Sequence, residues 1–180
     1  MKTSIALTGF MGTGKTAVGK VLAEKLGKEF IETDALIEKR AGKSIPRIFA
    51  DDGEIRFREL EIETIAALEG KKDTVIACGG GAVLNAINVL RLRKECVIVR
   101  LTASPGVILK RTSTEKDSRP LLAVADREKQ IKELLKYRQP FYERAADFKV
   151  NTSLLSVAAV TAKIIEILNK YEYHDSKKRG

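Results

Sequence analysis

Residues 9–16 read GFMGTGKT and fit the pattern G-x-x-x-x-G-K-[ST], with Gly9, Gly14, Lys15 and Thr16 at its fixed positions. The chemistry of that spacing is phosphate binding. Glycines allow unusual backbone angles and close approach, so successive amide N–H groups surround an anion at the positive end of the following helix. The amides of Gly12, Thr13, Gly14, Lys15, Thr16 and Ala17 are then the cradle, Lys15 reaches the β- and γ-phosphates of ATP, and the Thr16 hydroxyl meets Mg2+. Such a loop names the donor of a phosphoryl group and leaves the acceptor open. A guanine-reading N-K-x-D is absent, TEKD at 114–117 being a poor substitute, and the chain is short for a helicase or large ATPase.

Three further segments carry polar or glycine-rich signals suited to a second substrate: ETD with Asp34, FRELE with Arg58, and CGGGA with Gly79, Gly80 and Gly81. On a helix Arg58 and Glu61 lie three apart, where a carboxylate can orient a guanidinium. Asp34 alone reads equally as an N-cap.

Positioning these residues takes an alternation of short β-branched runs and longer helical stretches, which predicts a three-layer αβα fold around a five-stranded parallel sheet. Strands are expected at 4–8, 29–32, 74–78, 96–101 and 148–151. Helices are expected at 15–26, 35–40, 45–49, 55–68, 82–93, 105–111, 127–137 and 155–168, the last with a stripe of Val157, Val160, Ile164, Ile167 and Leu168 against the sheet. Open sheets of this kind place ligands beyond the carboxyl ends of the strands, where all these signals fall. Residues 112–126 have no period and read as a lid loop, and 171–180 as a frayed basic tail, leaving one kinase domain over 1–170.

At 180 residues the chain is long enough to bury a core without staples. Cys78 and Cys96 lie in apolar runs and read as buried free thiols of a reducing compartment, hence a cytoplasmic protein. No apolar run is long enough for a signal-peptide core or a membrane span. The net charge of +9 is interleaved with acids, which argues against nucleic-acid binding and for a cationic cleft that concentrates small anions.

Taken together, GFMGTGKT, ETDALIEKRAGKSIPRIFADDGEIRFRELE, CGGGAV, RTSTEKDSRPLL and YRQPFYERAAD resemble the shikimate kinase family, in order and spacing, from the P-loop to about Asp147. The resemblance implies a nucleoside monophosphate kinase-like fold and transfer of the ATP γ-phosphate to the 3-hydroxyl of shikimate, in aromatic amino-acid biosynthesis. It places Asp34 on the ring hydroxyls, Arg58 and Arg138 on the substrate carboxylate, and Gly79, Gly80 and Gly81 beside the ligand. It puts Arg119 on a lid that closes over the phosphates and Arg111 against adenine, and it implies a monomer. One position departs from the family's D-x-D around the second strand: Glu32 stands where the first aspartate helps hold Mg2+ through water. Kinases for another small acceptor, gluconate or a nucleoside monophosphate, and a nucleotide-dependent binding protein without catalysis, are the alternatives.

Overall fold

A computed structural model describes residues 2–113, 120–122 and 124–179, the stretch 172–179 as backbone only. Its strands are β1 (Ser4–Thr8), β2 (Glu29–Glu32), β3 (Thr74–Ala77), β4 (Cys96–Thr102) and β5 (Phe148–Asn151). They pair in the order β2-β3-β1-β4-β5, all parallel. The central β1 and β3 are buried throughout, as a sheet covered on both faces requires, whereas the edge strands β2 and β5 are partly exposed.

Side chains of successive strand residues point to opposite faces, and the two faces have separate cores. Ile5, Leu7, Val97, Val99 and Leu101 pack with α1 (Lys15–Leu26) and α8 (Val157–Arg179), through Val18, Leu22, Val160 and Ile164. Ala6, Ile76 and Ile98 face α5 (Ala86–Glu95), α6 (Pro105–Thr112) and α7 (Arg127–Ala145), meeting Val89, Ile108, Ile131 and Tyr142. A third, smaller cluster of Ile37, Ile48, Phe57 and Leu60 joins α2 (Thr33–Ala41), α3 (Ile45–Asp51) and α4 (Gly53–Ala67).

Several boundaries differ from the sequence expectation for identifiable reasons. The helix expected at 82–93 is divided: residues Ala82–Leu84 form a 3-10 turn, and Asn85 caps α5 by accepting from the Ile87 amide at 3.0 Å. The helix expected to stop at 137 runs on through Pro140 to Ala145. Residues 136, 137, 139 and 140 are solvent-exposed, so the carbonyl that Pro140 leaves without its helical donor faces water. The last helix continues to Arg179, and Val157 at its start is exposed rather than part of the buried stripe. Within the expected lid, Pro120–Leu122 form a 3-10 turn whose Leu122 is buried in the main core. Among the described residues no helix is long and apolar enough to cross a membrane.

Candidate active site

Side chains engage the carbonyls of the loop between β1 and α1. Lys15 Nζ donates to the carbonyls of Gly9 and Phe10, both at 3.0 Å. Arg111 Nη1 donates to that of Gly12 at 3.1 Å, and the Thr152 hydroxyl to that of Thr13 at 3.0 Å. With these oxygens engaged, the first-turn amides of α1, which have no intrahelical acceptor, are left for an anion. Gly9 and Gly14 have φ of 134° and 91°. A Cβ on Gly9 would come within 2.2 Å of the Leu101 carbonyl oxygen, which no shift of a side chain relieves.

This cradle forms one end of a cavity of about 280 Å³ lined by Lys15, Thr16, Glu32, Asp34 and Arg111. Thr16 Oγ1 donates to Glu32 Oε1 at 2.5 Å, so the two residues expected at the metal are side by side. Arg111 is fixed by its edges: besides Gly12 it donates to the hydroxyl and carbonyl of Thr152, at 3.1 and 2.8 Å. Edge-on bonds leave the faces of a guanidinium for stacking on a planar ring.

Asp34 stands in the first turn of α2, behind Glu32 and Thr33, so it is not the N-cap of that helix. It also lines a second cavity of about 80 Å³ together with Arg58, Gly80, Gly81 and Arg138. Arg58 is shared by Glu54 and Glu61, at 2.9 and 3.1 Å. Glu61 is buried, and desolvation pushes its carboxyl up to about 7 against the opposing pull of Arg58. Arg138 is buried in the interior of α7, since that helix runs on past 137, and its guanidinium lies 5.7 Å from the Phe10 ring centroid.

None of the three glycines has a positive φ; Gly79 and Gly81 serve space, whereas a Cβ on Gly80 would meet nothing nearer than 3.6 Å. A Cβ on Gly79 would meet Asp34 Oδ1 at 2.6 Å and Glu61 Oε1 at 2.9 Å, and one on Gly81 would meet Arg58 Nη1 at 1.9 Å. The Gly80 carbonyl accepts from the Tyr142 hydroxyl at 2.5 Å and from Arg138 Nη1 at 3.4 Å.

The structure thus brings Gly12, Gly14, Lys15, Thr16, Ala17, Glu32, Asp34 and Arg111 around one cavity, and Asp34, Arg58, Gly80, Gly81 and Arg138 around the next, with Gly79 against Asp34. Thr13 is buried behind the loop. Arg119 lies outside the described residues. Sequence reasoning missed three hydroxyls that hold these groups. Thr33 accepts from the Gly79 amide at 2.8 Å, tying the end of β2 to the glycine run; Tyr142 holds Gly80; Thr152 holds Arg111. Only Tyr142 had a signal, its place one helical turn after Arg138.

The chain is similar to known proteins over most of its length. The shikimate kinase family model matches residues 11–169. Shikimate kinase from Caldanaerobacter subterraneus subsp. tengcongensis is 51% identical over 162 residues, covering 90% of this chain and 94% of that one. That of Pelotomaculum thermopropionicum is 48% identical over 170 residues, covering 94% and 98%. Among solved structures, shikimate kinase from Acinetobacter baumannii in complex with shikimate has a TM-score of 0.90 at 37% identity, covering 95% of each chain. A P-loop sheet of this order, two arginines beside a glycine run and a match over most of the length converge on one conclusion: the chain belongs to the shikimate kinase family.

Proposed function

We propose that the protein transfers the γ-phosphate of ATP to the 3-hydroxyl of shikimate, releasing ADP and shikimate 3-phosphate. One observation carries the reading: Asp34 lines both cavities, with Lys15 and Thr16 on its donor side and Arg58 and Arg138 on its acceptor side. A carboxylate at that junction can align an attacking hydroxyl and take its proton, while two guanidinium groups bind a carboxylate and fix the ring. Lys15 and the loop amides bind the phosphates, and Arg111 offers a face to adenine. Arg119 completes the charge over the phosphates when the lid closes and water is excluded.

The Thr16 and Glu32 oxygens are hard donors within contact of each other and suit Mg2+, Glu32 acting through water. Among the described residues there is no cluster of three metal-ligating side chains, which fits an ion that arrives with the nucleotide and takes most of its ligands from phosphate and water. When bound, Mg2+ neutralises developing charge on the phosphoryl oxygens. The buried free thiols Cys78 and Cys96, the Cys96 thiol pushed up to about 12 by burial, suit a reducing cytoplasm. We take the working unit to be one kinase domain acting as a monomer, with neither nucleic acid nor membrane as partner.

ADP release measured with shikimate, gluconate and nucleoside monophosphates tests the assignment. Turnover is expected with shikimate and is abolished by Lys15→Ala. Activity with gluconate or a nucleotide and none with shikimate overturns it. Arg58→Ala and Arg138→Ala should each raise the shikimate KM by about tenfold or more, the loss of a charge-assisted pair, with the ATP Kd unchanged. An equal loss of ATP affinity would show that both act structurally.

A further inference from the structure

Between α6, α7 and the end of β4 lies a cavity of about 350 Å³ that the phosphoryl-transfer reading does not use. Three cations line it, Arg100 from β4 and Lys132 and Lys136 from α7, and no acidic side chain does so among the described residues. Its apolar wall includes Phe10, Leu135 and Tyr142. Arg100 is 9% exposed, and its one ion pair among the described residues is a loose 3.7 Å contact with the half-exposed Glu143. Lys132 also pairs with the exposed Glu128, four residues earlier on α7. A desolvated guanidinium with so little countercharge makes an anion beside it favourable.

We infer that this cavity is a further anion site, distinct from the donor and acceptor cavities, taking a small organic anion that joins a carboxylate or phosphate to a planar apolar body. The charged group sits among Arg100, Lys132 and Lys136, and the body lies against the half-buried Leu135 and Pro105, with the buried Phe10 and Tyr142 behind. Its size suits such a molecule, since ligand pockets of roughly 300 Å³ and above accept small organic compounds. Occupancy is felt at the acceptor pocket. The Arg100 guanidinium lies 5.2 Å from the Tyr142 ring centroid, Tyr142 holds the Gly80 carbonyl, and Phe10 of the same wall supports Arg138. An anion that draws Arg100 away from the ring therefore shifts the groups that position the acceptor.

The site itself is independent of what the acceptor is; only its coupling to the acceptor KM rests on the shikimate reading. Phenyl phosphate serves as probe, titrated calorimetrically into the full chain with ADP and Mg2+ saturating, so that the nucleotide cavity is filled. Saturable binding is expected for wild type and for Arg58→Ala, whose acceptor pocket has lost its cation. It should weaken about tenfold in Lys132→Gln/Lys136→Gln, a double change of exposed residues that leaves folding intact. No saturable binding, or binding lost in Arg58→Ala and kept in the double variant, overturns the site. In turnover assays the probe should change the shikimate KM of wild type and not of the double variant; binding with an unchanged KM overturns the coupling.

Discussion

Glu61 ties acceptor geometry to pH. In the unfolded chain it titrates near 4.5, but desolvation, with a smaller contribution from the neighbouring Asp34 charge, raises it to about 7 despite Arg58 and Arg138. Across that window the folded protein keeps a proton that the unfolded chain has lost. Stability from this group is therefore full below about pH 4.5 and is lost as pH rises toward 7, by up to about 3 kcal/mol. Glu61→Gln removes the titration, so urea melts at about pH 5 and pH 8 should differ less in the variant than in wild type; an equal loss in both contradicts the raised pKa. At the higher pH the variant also deprives Arg58 of a charged partner, and the shikimate KM should rise about tenfold. Gly81→Ala separates positioning from folding. The backbone there has a φ of −104°, which alanine adopts freely, yet its Cβ needs the space of the Arg58 guanidinium, 1.9 Å away. Expected is a shikimate KM raised about tenfold with stability within about 1 kcal/mol, because the displaced group is the end of a flexible side chain. An unchanged KM shows that Arg58 does not need that place.

Helices α2, α3 and α4 carry Asp34, Arg58 and Glu61 and share a small cluster of Ile37, Ile48, Phe57 and Leu60, while Ile65 of α4 and Leu36 of α2 also pack into a cluster on the sheet. A cavity there loosens the acceptor half without touching the cradle. Ile48→Ala should cost about 2 to 5 kcal/mol, lower hydrogen-exchange protection in these helices before the sheet, and raise the shikimate KM while nucleotide affinity holds. Protection lost evenly through β1 and β4 would instead show one cooperative unit. What the sequence discloses at this scale follows from local physics. The bounds of α1, β1, β2 and β5 were readable because glycines and β-branched runs punctuate them, and the cradle because its chemistry is contiguous. The division at Asn85 and the passage of α7 through Pro140 were not, since a local breaker rule cannot see the solvent that receives the freed carbonyl. The Tyr142–Gly80 and Thr33–Gly79 contacts span 62 and 46 residues, so no local pattern carries them. The resemblance supplied the carboxylate-binding roles of Arg58 and Arg138; the residues alone marked Arg58, three before Glu61 on a helix, and did not mark Arg138.

Over the whole molecule the net charge is +9, and both proposed substrates are anions that enter clefts lined by Lys15, Arg111, Arg58 and Arg138. A field of one sign steers such ligands and raises their rate of capture, an effect that salt screens over a Debye length of about 8 Å at physiological ionic strength. The proposed contacts of the bound state would be screened less, because solvent ions could not come between the buried Arg138 and a carboxylate placed beside it. Capture and turnover should therefore separate. Raising potassium chloride from about 0.02 M to about 0.5 M, a span that shortens the screening length several-fold, should lower kcat/KM for each substrate several-fold while kcat at saturation changes little. Replacing chloride by glutamate at the same ionic strength checks that screening, and not chloride occupying an anion site, is responsible: the two salts should give the same slope. A kcat/KM indifferent to both would mean that the excess charge has no part in capture and that the local arginine pairs alone recruit the substrates.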